Sequence, residues 1–96
     1  MMLVVAYDVD TTDSAGARRL RKVARLCERY GIRVQNSVFE VLLDSSQLVA
    51  LKAGLEKIIC KDTDSIRIYR LGNTYRNRIE VIGRTGPIET GEPLLL

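Results

Sequence analysis

The segment Leu3–Val9, LVVAYDV, limits the possible folds more than any other stretch of this chain. It is rich in β-forming residues, and the polar run Asp10–Asp13 stops it. Side chains along a strand point alternately to opposite faces, so Leu3, Val5 and Tyr7 form one set and Val4, Ala6 and Asp8 the other. Both sets are apolar until Asp8. That pattern predicts a central strand with something covering each face. A chain of 96 residues folds as one domain. It buries roughly two thirds of its unfolded surface, enough for one modest core.

The remaining elements follow from periodicity. Ser14–Tyr30 reads as a helix, with Leu20, Val23, Ala24, Cys27 and Tyr30 on one stripe. Thr12, Asp13 or Ser14 can cap its start, and Gly31 is placed to end it. Ile32–Leu43 is extended, with the polar trio Gln35-Asn36-Ser37 at a turn or bulge; a short strand up to Gln35 and a longer one from Val38 is the favoured reading. Asp44-Ser-Ser-Gln47 resembles a capping box opening a second helix, with Leu48, Leu51, Leu55 and Ile58 on one face. Asp62 and Asp64 mark a turn. Ser65–Leu71 alternates as a strand, and Ile79–Ile82 is expected to be a short final strand.

This order is βαββαβ plus one extra C-terminal strand. It predicts an α+β, ferredoxin-like antiparallel sheet with two helices on one face. The domain is expected over residues 1–82, and residues 83–96 as a tail that is irregular or ordered by a partner. The bare face of such a sheet carries apolar side chains of the first strand. A homodimer through that face would cover them, and the extra strand could join an edge of either copy.

Composition excludes several chemistries. There is no His, which rules out Ser-His-Asp triads, Cys-His pairs and His metal sites within this chain. The two cysteines, Cys27 and Cys60, form no CxxC and are expected to be reduced thiols. The apolar run Met1–Tyr7 is too short for a membrane helix and lacks the basic lead of a secretory signal, so a cytoplasmic protein without membrane contact is expected. Any hydrolysis must use carboxylates, a metal or basic side chains.

The net charge is only +3, but it is segregated. Arg18, Arg19, Arg21, Lys22, Arg25, Arg29 and Arg33 stand against Glu28 alone, and Arg67, Arg70, Arg76, Arg78 and Arg84 against Glu80 alone. Arginine forks match phosphate oxygens, so these segments suggest a nucleic-acid backbone site. The plainer alternative is a solvated helix face and a charged strand edge. Too few aromatics stand at strand positions for base stacking, which favours recognition of backbone and shape.

Asp8 closes the apolar strand. It can start the turn, or it can ligate a hard cation. Mg²⁺ takes one or two carboxylates and shares substrate phosphate oxygens. A two-fold axis near Asp8 would bring two such carboxylates together. Ser37 can bond a phosphate or a metal-bound water, or simply sit in a turn. Phe39 and Tyr7 can line a cleft or belong to the core.

These residues also carry a resemblance. Tyr7-Asp8-Val9 closes the first strand. An Arg-rich helix runs to Tyr30-Gly31. Then come Arg33-Val-Gln35-Asn-Ser37-Val-Phe39-Glu40 and Asp64-Ser-Ile-Arg-Ile-Tyr69. Together, from about Met1 to Ile82, they resemble the CRISPR-associated protein 2 family. The resemblance implies a ferredoxin-like homodimer with its two Asp8 side chains facing each other, and an endonuclease dependent on Mg²⁺ or Mn²⁺ that acts on RNA or duplex DNA. Asp8 would be the catalytic and metal-binding residue. Arg18, Arg19, Arg21, Lys22, Arg33 and Ser37 would contact nucleic acid, and Tyr7 and Phe39 would line the cleft. It also implies a place in the CRISPR spacer-acquisition complex of antiviral defence, beside the CRISPR-associated protein 1 integrase, on which the C-terminal segment docks. The alternatives are a non-catalytic DNA-binding scaffold and a toxin-like endoribonuclease of the virulence-associated protein D type.

Overall fold

A computed structural model describes residues 1–84 of the chain. The elements run β1 (Met2–Asp8), α1 (Ser14–Glu28), β2 (Gly31–Gln35), β3 (Val38–Leu42), α2 (Ser45–Ile58) and β4 (Ser65–Gly72), followed by one 3-10 turn at Arg76–Arg78. The sheet order is β2-β3-β1-β4, and every neighbouring pair is antiparallel. This is the ferredoxin-like βαββαβ arrangement, with β1 at the centre as its two apolar faces require.

Both helices start on side-chain caps. The Asp13 carboxylate accepts the Gly16 N–H at 2.8 Å. At α2 the Asp44 carboxylate accepts the Gln47 N–H at 2.8 Å while the Gln47 side chain accepts the Asp44 N–H at 2.9 Å, a reciprocal capping box. The end of α1 departs from expectation. The helix stops at Glu28, and Gly31 opens β2 instead of ending the helix. A side chain at Gly31 would stand 1.9 Å from the Glu40 carbonyl oxygen, so this glycine serves the close approach of β2 to β3.

One parity of β1 builds the core. Leu3, Val5 and Tyr7 pack with Phe39 and Val41 of β3, with Val23, Ala24 and Cys27 of α1, and with Leu48, Leu51 and Leu55 of α2. The opposite parity looks away from the helices. Val4 and Ala6 are half-buried and Asp8 is exposed. Around them on this open face lie Val38, Glu40 and Leu42 of β3 and Arg67 and Tyr69 of β4, in register with β1.

The expected strand Ile79–Ile82 does not form among the described residues. After Gly72, at φ +81°, the chain leaves the sheet and makes the Arg76–Arg78 turn. Glu80, Val81, Ile82 and Arg84 then border a cavity of about 390 Å³ whose other wall includes Ile32, Val34 and Val38. The segment has no ladder partner, and Val81 and Ile82 are exposed. Alternation alone cannot make a strand, and this segment pairs with neither edge of the sheet. Most of the expected tail, from residue 85 onward, lies outside the described residues. No helix among the described residues is long and apolar enough to cross a membrane.

Candidate functional site

Asp8 ends β1 on the open face, opposite Ser65 of β4. Its side chain is exposed and makes no hydrogen bond or ion pair among the described residues. The neighbouring position on the same face pairs Ala6 with Arg67, whose guanidinium donates to the Tyr69 hydroxyl at 3.5 Å. Arg67 and Tyr69 thus share a surface with Asp8. The SIRIYRL alternation placed them together on one face, but only the pairing of β4 with β1 reveals that Asp8 stands on that face too.

Tyr7 points the other way, into a cleft of about 440 Å³ between α1 and the sheet. Arg21, Arg25, Arg33 and Ser37 line the same cleft. Ser37 sits in the Asn36–Ser37 turn joining β2 to β3, and its carbonyl accepts the Tyr7 N–H at 3.0 Å, fastening the turn beside the end of β1. Burial pushes the Tyr7 phenol above its usual pKa, and nearby Arg33 acts against that shift. On the opposite face of the sheet from Asp8, Tyr7 therefore borders this helix-side cleft. Phe39 does not reach it: the ring is fully buried, stacked at 6.1 Å on Tyr7, and it supports the Arg33 guanidinium 5.5 Å from its centroid. Arg33 Nη2 lies 3.8 Å from the Glu28 carboxylate, and its Nε is buried without a hydrogen-bond partner among the described residues.

The helix arginines divide. Arg18, Arg21 and Lys22 are exposed and make no ion pair among the described residues. Arg19 turns inward instead. Its Nε donates to the Asp64 carboxylate at 2.8 Å, and the Asp64 side chain has no solvent exposure. The phosphate contact expected of Arg19 gives way to this internal pair. The sequence marks Asp64 as a turn residue and part of the resemblance, but not as the partner of Arg19, which is 45 positions away.

A hard divalent cation fits the donor type at Asp8, an exposed carboxylate with room for waters and phosphate oxygens. No group of three or more His, Cys, Asp or Glu side chains able to hold a metal exists among the described residues. Asp8 is thus not part of a ready-made metal cluster among the described residues.

A ferredoxin-like domain that ends its central strand in a free carboxylate and lines its first helix with arginine defines a small class of basic α+β proteins. The model of the CRISPR associated protein Cas2 family matches residues 1–79, and the chain belongs to that family. It is 50% identical to the CRISPR-associated endonuclease Cas2 of Halalkalibacterium halodurans, covering 99% of both chains. It is 48% identical to a CRISPR-associated endoribonuclease Cas2 of Rhodospirillum rubrum, covering 99% of this chain and 100% of that one. The crystal structure of Streptococcus pyogenes Cas2 at pH 6.5 superposes with a TM-score of 0.78 at 51% identity, covering 86% of this chain and all of the other.

Proposed function

We propose that this protein is a metal-dependent endonuclease of nucleic acid that works as a homodimer closed through its open sheet face. The observation that carries the reading is Asp8: an exposed carboxylate, unpaired among the described residues, at the end of an apolar strand, on a face whose Val4, Ala6 and Leu42 have no covering element among those residues. Burying that face against a second copy removes apolar surface from water and brings two Asp8 side chains toward one axis. Two carboxylates so placed repel each other and favour a cation between them. When bound, Mg²⁺ or Mn²⁺ would supply a more acidic water and neutralise charge on the phosphate.

The chain's own side chains do the rest. Asp8 would hold the cation, and its carboxylate would orient a water beside the phosphate. Arg67, on the same face, holds a phosphate oxygen as a charge-assisted donor. The names of the relatives support hydrolysis of a phosphodiester in RNA or DNA. The extended segment at residues 79–82, unpaired among the described residues, can add to a sheet edge of the partner copy. Residues 83–96 are the proposed dock for the CRISPR-associated protein 1 integrase in the spacer-acquisition complex.

One observation favours a second reading. Arg18, Arg21 and Lys22 lie on the helix layer, on the far side of the sheet from Asp8. A surface that binds duplex backbone there can serve as a scaffold without cleavage. The two readings separate in one experiment: titrate Mg²⁺ and Mn²⁺ with single-stranded RNA and duplex DNA, using wild type and Asp8→Asn. Hydrolysis predicts that Asp8→Asn lowers cleavage by roughly 10² to 10³, with binding intact. Full-rate cleavage by Asp8→Asn would sink it; tight, salt-sensitive binding of duplex DNA with no cleavage by wild type would establish the scaffold.

A further inference from the structure

Among the described residues Asp8 has no side-chain partner, and its position rests on what fixes its backbone. Asp64 stands beside the start of β4, next to Ser65, which pairs with Asp8. Its carboxylate is saturated. Oδ1 accepts the Asp10 N–H at 3.0 Å and the Thr63 hydroxyl at 3.1 Å. Oδ2 accepts the Cys60 N–H at 2.9 Å and Arg19 Nε at 2.8 Å. The same guanidinium reaches further: Arg19 Nη2 donates to the Asp10 carbonyl at 3.4 Å. Asp10 is therefore held by its N–H through Asp64 and by its carbonyl through Arg19.

A second feature acts on the same carbonyl. Gly16, in the first turn of α1, is buried against it. A side chain there would stand 1.8 Å from the Asp10 oxygen and 3.0 Å from the Thr11 Cα. Only glycine lets the loop lie this close to the helix. Between the two grips, Val9 is buried in the core. Asp8 thus projects from a segment tied at Ser65, at Val9 and at Asp10.

We propose that the Asp64–Arg19 pair, with Gly16 beneath it, is the positioning device of the Asp8 site, setting where that carboxylate stands without touching substrate. The proposal rests on the hydrolytic reading of Asp8 for its kinetic consequence, but not for its geometry. Reacting groups tolerate little displacement: a misplacement of about 1 Å can cost about 100-fold in rate. Neither conservative variant reproduces the clamp. Asparagine at 64 would aim an amide N–H₂ at a backbone N–H, because both carboxylate oxygens accept backbone donors. Lysine at 19 has no planar fork to bridge Asp64 and the Asp10 carbonyl.

The test compares Asp64→Asn, Arg19→Lys and Gly16→Ala with Leu55→Ala, a core truncation in α2 away from the loop, each assayed below its own melting temperature. Manganese-dependent cleavage of single-stranded RNA gives kcat and KM, and NMR hydrogen exchange reports the Asp10 amide. The expected result is kcat about 10- to 100-fold lower in the three loop variants with KM little changed, and kcat retained in Leu55→Ala. Exchange at the Asp10 amide should quicken in Asp64→Asn, with a shift of the Asp8 amide resonance. Loop variants that keep wild-type kcat, or a Leu55→Ala that loses as much, would overturn the proposal. Should wild type cleave nothing, the hydrolytic reading falls. The Asp10 amide then decides positioning: protection unchanged in Asp64→Asn rejects it, and protection lost with a displaced Asp8 resonance upholds it.

Discussion

Leu3, Val5 and Tyr7 are packed beneath two helices, whereas Val4, Ala6 and Asp8, one residue out of step on the same strand, face outward from the sheet. The two sets are similar in hydrophobicity until the last position, so the difference lies in what covers them. The inner set is finished within one chain. The outer set has enough apolar character to need a cover, and it carries the carboxylate that the functional reading depends on. Stability is concentrated on one parity and the proposed function on the other, and a substitution's effect should follow its parity.

The largest expected contrast is between two leucines. Leu3 is fully buried, and Leu3→Ala should cost about 2–5 kcal/mol through lost burial and the cavity left behind. Leu42, on the open face, is 52% exposed. Leu42→Lys should change the stability of an isolated chain by less than about 1 kcal/mol, yet disrupt self-association through that face. Urea unfolding and sedimentation together read both effects. Equal losses from the two variants, or a Leu42→Lys protein that self-associates as tightly as wild type, would break the comparison.

A smaller effect concerns acid. The hydrogen bond from Arg19 holds the Asp64 carboxyl well below the usual carboxylate range, helped by the N–H groups of Cys60 and Asp10 and opposed by burial. A folded-state pKa depressed in this way stabilises fully above the pH at which the unfolded carboxyl titrates. That stabilisation is lost as pH falls toward the folded value. Wild type should therefore lose stability progressively below about pH 4, and Asp64→Asn should lack part of that dependence. Identical acid profiles would contradict the assignment.

The nucleic-acid surface offers a finer distinction. Arg21→Ala should weaken binding of duplex DNA uniformly across sequences and reduce the salt slope by about 1. An unchanged slope would remove Arg21 from the interface. Smallest of all is a difference between the thiols. Cys27 is buried in the core and its pKa is pushed up to about 11 by desolvation, so it should stay unmodified by a thiol reagent at pH 8 in the folded protein. Cys60, which is only partly buried, should react first. Equal rates would mean that the core beneath α1 opens more readily than its packing implies.

Much of this was readable from residue order. The parity of β1 follows from LVVAYDV, the Asp44–Gln47 box from its spacing, and the hairpin break before Val38 from Gln35-Asn36-Ser37. What was not readable depends on distant partners. Tyr30-Gly31 after a helix looks like a terminator, yet Gly31 answers to Glu40 across a strand pair. Arg19 looks like its exposed neighbours until Asp64 is brought beside it. Ile79–Ile82 has a strand's composition but pairs with neither edge of the sheet among the described residues. Phe39, an aromatic in a strand, reads first as core with the cleft as the alternative, and its full burial beneath Arg33 places it in the core.

The distance between spin labels placed at Asp8→Cys in a Cys60→Ser background addresses the paired open faces most directly. Sheets packed face to face lie about 10 Å apart, so two labels near a shared axis should give a strong dipolar signal at roughly 10–25 Å. The absence of any pair distance at working concentration, or a long one set by some other face, would contradict the joint site on which the proposed chemistry stands.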